Sequence, residues 1–283
     1  MDQRYSGATE VSRYTCHRAN APLTIDGNLD KRAWQLAPKS RRFVDVVTGR
    51  PGPFDTRAAA LWDDQNLYIA FWIEEPSVEA ALTARDALLF NENDVEVFID
   101  GGDCYYEFEI NALGTLYEVF FVWQDAYRRG GRFDTPEFDL FGGNVTGFGG
   151  NYDRIGDDMW RGAHPRGLRW AFLDWDFPGL HSAVRIDGTL NDPAAVDRGW
   201  TVELAFPWSG MGQLAHGRSL PPQDGDTWRM MFARYEKLEL MGRAVNTGWA
   251  WDRIGSMDNH APECWTQVQF SSRPVDAVEN SGR

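Results

Sequence analysis

The sequence predicts an all-β protein: a single antiparallel β-sandwich with one long irregular insertion. Three observations predict it. Roughly ten short segments rich in Val, Ile, Phe, Tyr and Trp recur with turn residues between them. Several of these segments alternate apolar and polar residues with the period of two that belongs to a half-buried strand. Almost no stretch sustains a helical period, which leaves a sandwich as the way to bury so much apolar surface. No linker divides the chain, so residues 1–273 read as one domain and 274–283 as a loose polar tail.

Residues 1–20 are polar and read as an arm or edge strand. A short strand at 22–25 precedes the Asp26-Gly27 turn, and Asp30 is placed to cap a brief helix over 31–36 that buries Trp34. Gly49, Pro51, Gly52 and Pro53 punctuate a loop over 41–56. Segments 58–62 and 67–73 form a hairpin across Asp63, Asp64, Gln65 and Asn66. Residues 116–123 are nearly all apolar and read as a strand buried on both sides. Residues 124–182 then turn rich in Gly, Asp, Arg and aromatics with little periodicity. A structureless loop of that length is uncommon unless it works as a lid or binding loop. It is read as an insertion over one face, with His164, Arg166, Arg169, Trp170, Trp175 and Asp176 as the side chains able to reach a ligand. Further strands are expected at 183–190, 199–207, 227–235, 248–251 and 266–271, with a loop or short helix over 209–220.

The segment 94–111 is the most informative. Two alternating runs flank Gly101, Gly102 and Asp103, a hairpin signal. One face collects Val95, Val97, Ile99, Tyr106, Phe108 and Ile110 and is a core face. The other carries Asp94, Glu96, Phe98, Asp100, Tyr105, Glu107, Glu109 and Asn111. This turn sets Glu96 directly opposite Glu109, and like charges opposed across a ladder are destabilising. An arginine, a cation, a shared proton or a ligand's hydroxyl groups must offset the repulsion, which is the reason to place a site here.

The bulk composition narrows the partners. A net charge of −14 argues against nucleic acid and against anionic membrane surfaces. Thirteen tryptophans suit a thick β core or a site that stacks on ligand faces. Cys16, Cys104 and Cys264 have no paired spacing and read as free thiols of a reducing compartment. With no charged-then-apolar leader at the N-terminus the expected location is cytoplasmic, unless a secretion signal has been trimmed.

Seven motifs in order carry a family resemblance. They are Ile25-Asp-Gly-Asn-Leu-Asp-Lys-Arg-Ala-Trp34, Leu61-Trp-Asp-Asp-Gln-Asn-Leu-Tyr-Ile69, Asn93-Asp-Val-Glu-Val-Phe-Ile-Asp100 and Tyr105-Tyr-Glu-Phe-Glu-Ile-Asn111, followed by Gly199-Trp-Thr-Val-Glu-Leu-Ala-Phe-Pro207, Asp226-Thr-Trp-Arg229 and Asn259-His-Ala-Pro-Glu-Cys-Trp265. The chain resembles the family 9 carbohydrate-binding modules and their larger family 9-like relatives, which share a DOMON-type β-sandwich. The resemblance implies a concave sheet face that takes the end of a sugar chain between two tryptophans. Phe90 matches the first of these positions and Asn259, beside His260, the second. Glu96 matches the family's hydroxyl-binding glutamate, whereas Glu109 stands where the family has arginine.

Two readings of the chemistry follow. As a non-catalytic binder of a saccharide or related polyol, the protein would use Phe90, Glu96, Glu107, Glu109, Asn111, Arg234, Trp251, Asn259 and His260. As an enzyme on a small sugar-like substrate, Glu96 and Glu109 would form an acid–base pair, because opposed carboxyls drive their proton affinities apart, with His260 as a second base. No cofactor is required by either reading. Calcium is the metal of choice if one binds, on the oxygen ligands Glu96, Glu109 and Asn111, with His260 able to join them for zinc or manganese. Arg234 is the in-pattern residue to neutralise Glu96 or Glu109. Glu203 reads as a structural hydrogen-bonder, and Asp94 as an acceptor for loop backbone amides.

Overall fold

A computed structural model describes residues 11–149, 152–155, 158–161, 164–240 and 242–279. The first ten residues of the arm or edge strand expected over 1–20 lie outside them. In chain order the strands are β1 (Arg13–Arg18), β2 (Val44–Asp45), β3 (Thr56–Trp62), β4 (Asn66–Glu74), β5 (Asp94–Asp100), β6 (Cys104–Ile110), β7 (Leu116–Trp123) and β8 (Val145–Phe148). They continue as β9 (Tyr152–Ile155), β10 (Asp158–Arg161), β11 (Arg169–Phe172), β12 (His181–Asp187), β13 (Gly199–Pro207), β14 (Thr227–Leu240), β15 (Arg243–Ala250) and β16 (Thr266–Pro274).

One hydrogen-bonded path runs β12-β13-β4-β3-β1-β16-β14-β5-β6-β7-β11-β8, with β15 on β14 and β2 on β15. The path curls until its two halves face each other across one apolar core. Phe71 of β4 lies 6.2 Å from Phe232 of β14, and Phe206 of β13 lies 5.7 Å from Phe108 of β6. Val95, Val97, Ile99, Val202 and Leu204 fill the space between, all fully buried, and each such side chain contributes about 1.5–3 kcal/mol of transfer free energy. The architecture is the expected all-β sandwich.

Several local expectations change. The segment expected at the edge, β1, is central: it pairs in parallel with both β3 and β16. The short helix α1 (Arg32–Leu36) buries Trp34, but its N-cap is Lys31 and Asp30 makes no side-chain cap. Residues 22–25 form no strand. Glu203 is the structural acceptor expected, taking hydrogen bonds from Trp34 Nε1 at 2.8 Å, Lys31 Nζ at 2.6 Å and the Asp26 and Gly27 amides at 3.0 and 3.1 Å. The tail is tied down as far as residue 279. Val275 is buried with its N–H on the Arg18 carbonyl, ahead of a helical turn at Asp276–Glu279.

The largest difference is the insertion, which has strands of its own. β11 runs antiparallel to β7, with Trp170 opposite Val122, and β8 runs antiparallel to β11. The sheet is thereby prolonged beyond β7. The outer face of β14-β5-β6-β7 becomes a second buried layer, in which Phe98, Tyr105, Phe121 and Met231 pack with Ile254, Ala261 and Trp265 from the chain beyond β15.

Candidate functional site

The β5–β6 pairing has the register read from the sequence. Glu96 faces Glu109 and Phe98 faces Glu107. On the other side of β5, Ala233 of β14 lies opposite Glu96 and Tyr235 opposite Asp94. Asp94, Glu96, Glu107 and Glu109 therefore crowd one face, and each is at most 6% exposed. One carboxylate oxygen from each of Asp94, Glu96 and Glu109 lies within 4.8 Å of the others.

Neutralising partners are scarce. Asn259 Nδ2 donates to Glu96 Oε2 at 2.8 Å. Both carboxyl oxygens of Asp94 and both of Glu109 are buried with no amide, hydroxyl or cationic side-chain donor among the described residues, and the only side chains within hydrogen-bonding reach of the two groups are each other and Glu107. The Tyr235 backbone N–H approaches Asp94 but lacks hydrogen-bond geometry. Burial, followed by repulsion from Asp94, Glu96 and Glu107, holds the Glu109 carboxyl well above the usual carboxylate range. Burial and the neighbouring carboxylates push Asp94, Glu96 and Glu107 the same way. The face therefore retains protons that free carboxylates would release.

Glu96, Glu107 and Glu109 open onto a cavity of about 390 Å³, within the range of small-molecule sites. Its walls are aromatic: Phe98, Tyr117 and Phe121 from the sheet, Phe148 from the insertion, Tyr235 from β14 and Phe90 at the rim. Asn259 and His260 close one side. Arg169, fully buried, donates from Nε to the Tyr105 hydroxyl at 2.9 Å, and that hydroxyl lies 2.9 Å from His260 Nδ1. With its lone pair occupied by Arg169, Tyr105 has its proton free for His260 Nδ1, an assignment made from the hydrogen-bond network. Burial, then the Arg169 charge, holds the imidazole well below its usual pKa. His260 is thus neutral with its hydrogen on Nε2, a donor toward ligands. Tyr105→Phe would leave His260 Nδ1 and Arg169 Nε without this partner. The expected cost is about 1–3 kcal/mol in urea unfolding; an unchanged midpoint would rule the relay out.

The sequence pattern described as carbohydrate family 9 binding domain-like matches residues 25–121, which include the acidic hairpin. Over that stretch the chain is family 9-like. Two structures of a family 9 carbohydrate-binding module from Caldicellulosiruptor kristjanssonii share the fold, one in complex with cellotriose and one with glucose. Both align with a TM-score of 0.50, at 11% and 12% identity, over 92% of this chain and 94% and 96% of theirs. A crystal structure from Bacteroides uniformis ATCC 8492 aligns with a TM-score of 0.52 at 16% identity, over 93% of this chain and 100% of that one. No curated protein matches the sequence.

This family 9-like fold brings Phe90, Glu96, Glu107, Glu109, Asn259 and His260 together on one cavity, as the sequence reading placed them. Three other expected site residues are elsewhere. Arg234 lies opposite Val95 on β5, so it points to the core face, where it meets Glu75 and Glu236 and leaves Glu96 and Glu109 unneutralised. Trp251 is packed between Tyr14 at 4.9 Å and Phe232 at 5.1 Å in the main core. Asn111 shapes the β6–β7 turn: its Nδ2 donates to the Leu82 carbonyl and to Glu92, and its Oδ1 accepts from the Leu113 and Thr115 amides. Asp94, expected to serve loop amides, belongs instead to the acidic cluster.

None of the six insertion side chains singled out from sequence lines the cavity. His164 pairs with Glu263, Arg166 with Asp103 and Asp125, Trp175 with Glu137 and Asp176 with Arg85. Trp170 packs against the main core, and Arg169 acts from behind Tyr105. The insertion contributes Thr146, Phe148, Ala171 and Leu173 to the wall instead. Phe148 and Tyr235 carry no local signal of a site, because each reaches the cavity through long-range pairing.

Proposed function

We propose that this cavity recognises a saccharide or related polyol without turning it over. A single observation carries the reading: buried carboxylates, an amide and an imidazole N–H converge on a roughly 390 Å³ cavity with aromatic walls, in a family 9-like fold. Hydroxyl groups donate to Glu96 and Glu107, His260 Nε2 donates in return, and aromatic faces cover the apolar side of a sugar ring. The glucose and cellotriose complexes of the Caldicellulosiruptor module support the ligand class. No observation favours the enzymatic alternative on Glu96, Glu109 and His260. In particular, an imidazole with its proton on Nε2 and its Nδ1 engaged by Tyr105 is unsuited as a base.

Calorimetric titration with neutral mono- and oligosaccharides tests the proposal. Glu96→Ala, which removes the carboxyl group that Asn259 holds toward the cavity, is expected to weaken binding about 10–100-fold. Unchanged affinity in that variant, or no binding across the panel, would sink the assignment. Uronic acids are expected to bind more weakly than the matching neutral sugars in metal-free buffer, since no Lys or Arg lines the cavity among the described residues and Arg234 is turned away, leaving a buried carboxylate without a cation. Equal affinity for the acidic sugars would contradict this charge distribution.

A further inference from the structure

We propose that Asp94, Glu96 and Glu109 bind a divalent cation beneath the saccharide cavity, with calcium as the ion that fits. The cation site is independent of the saccharide reading.

The donor set is made of hard oxygens, the preference of calcium and magnesium rather than of zinc. Calcium takes roughly six to eight oxygens in a flexible geometry, whereas magnesium demands near-ideal octahedral coordination and gives up its water reluctantly, so a buried carboxylate set favours calcium. One oxygen from each of the three residues lies within 4.8 Å of the other two, close enough for one cation to gather all three.

Clustering alone would not mark a site, since acidic groups gather for many reasons. The second observation is that Asp94 and Glu109 have no side-chain partner outside the cluster among the described residues. Asp94 is fully buried and Glu109 is 1% exposed, yet their carboxyl groups reach only one another and Glu107, and no amide, hydroxyl or cationic side chain among the described residues donates to them. Asn259 Oδ1, on the amide that holds Glu96, is buried and equally unsatisfied. Buried carboxylates without partners carry a desolvation cost that a cation at their centre removes. The nearest strand offers no substitute, because Ala233 faces Glu96 while Arg234 points to the opposite face.

The ligand set differs from the one read from sequence. Asp94 replaces Asn111, whose amide is fully engaged in its turn, and His260 is spoken for by Tyr105 at Nδ1. Glu96 and Glu109 also line the cavity, so solvent or a ligand hydroxyl can complete the coordination from that side.

The test uses the full chain stripped with EDTA, then titrated with Ca²⁺, Mg²⁺ and Tb³⁺. Calcium is expected to raise the melting temperature and to bind at least tenfold tighter than magnesium. Binding should release protons, seen as a calorimetric heat that depends on the buffer's ionisation enthalpy. Terbium luminescence excited through the nearby tyrosines should appear and be displaced by calcium. Asp94→Asn and Glu109→Gln are each expected to lose at least tenfold in calcium affinity while retaining the wild-type circular dichroism spectrum. No calcium response in the wild-type protein, or undiminished calcium binding in both variants, overturns the proposal in favour of a cluster held by shared protons. Saccharide titration of the metal-free wild-type protein separates the two claims. Sugar binding without a calcium response removes the cation site alone; a calcium response without sugar binding removes the saccharide reading alone.

Discussion

Arg234→Met is expected to destabilise the protein by about 3–5 kcal/mol, the cost of breaking a buried ion pair from one side. Arg234 is 1% exposed, donates to Glu75 Oε2 at 3.1 Å, Thr56 Oγ1 at 3.1 Å and the Glu74 carbonyl at 2.7 Å, and ion-pairs with Glu236. Methionine fills much of the same space but supplies no charge. Glu75 keeps its bonds from Trp200 Nε1 and Asn93 Nδ2. Glu236, already pushed up to about 7 by burial despite Arg234, would be left a buried carboxylate without its cation. Thermal unfolding should show a fall of roughly 10 °C, at about 2–4 °C per kcal/mol for a large domain. A loss below about 1 kcal/mol would mean that the three-residue cluster is as weak as a surface pair.

Metal-free protein is expected to lose stability as the pH rises from about 5 to 8, the opposite of the usual acid sensitivity. The sign follows from proton counts. Asp94, Glu96, Glu107 and Glu109 have folded-state pKa values raised by burial and mutual repulsion. Above the ordinary carboxylate range the unfolded chain has released these protons while the folded chain still holds them, so stability falls with pH until the folded groups ionise as well. His260 runs the other way. Its lowered pKa costs stability as the pH drops below about 6.5, but it is one group against four. Glu109→Gln, neutral at every pH, should flatten the slope and raise stability at pH 8 by about 1–3 kcal/mol. Chemical denaturation at several pH values in EDTA would show it. A stability that climbs steadily from pH 5 to 8 would mean that the cluster is better compensated than its geometry indicates.

How far the site could be read from the residues varies along the chain for physical reasons. The hairpin at 94–111 was fully legible, because alternation and a short glycine turn specify both the faces and the partners, and Glu96 does oppose Glu109. The side of β14 was not. Trp228, Met230 and Phe232 enter one buried layer while Met231 and Ala233 enter the other, so apolar residues occupy both faces and the period of two says nothing about Arg234. Trp251 failed for a related reason: an aromatic ring suits a core and a sugar platform equally, and the choice between them depends on neighbours remote in sequence. The insertion looked structureless since β8 and β11 are short, and β11 takes its register from β7 and β8 from β11, not from their own pattern.

Local sequence determined the strands, the sandwich and the acidic pair, because side-chain alternation and turn chemistry act over a few residues. Tertiary structure decided everything that covers that pair: the aromatic walls, the relay from Arg169 through Tyr105 to His260, and the turning of Arg234 away from Glu109. These rest on contacts between segments remote in sequence, such as Arg169 on Tyr105, 64 residues apart, and Asn259 on Glu96, 163 apart, and no short-range pattern encodes such a meeting.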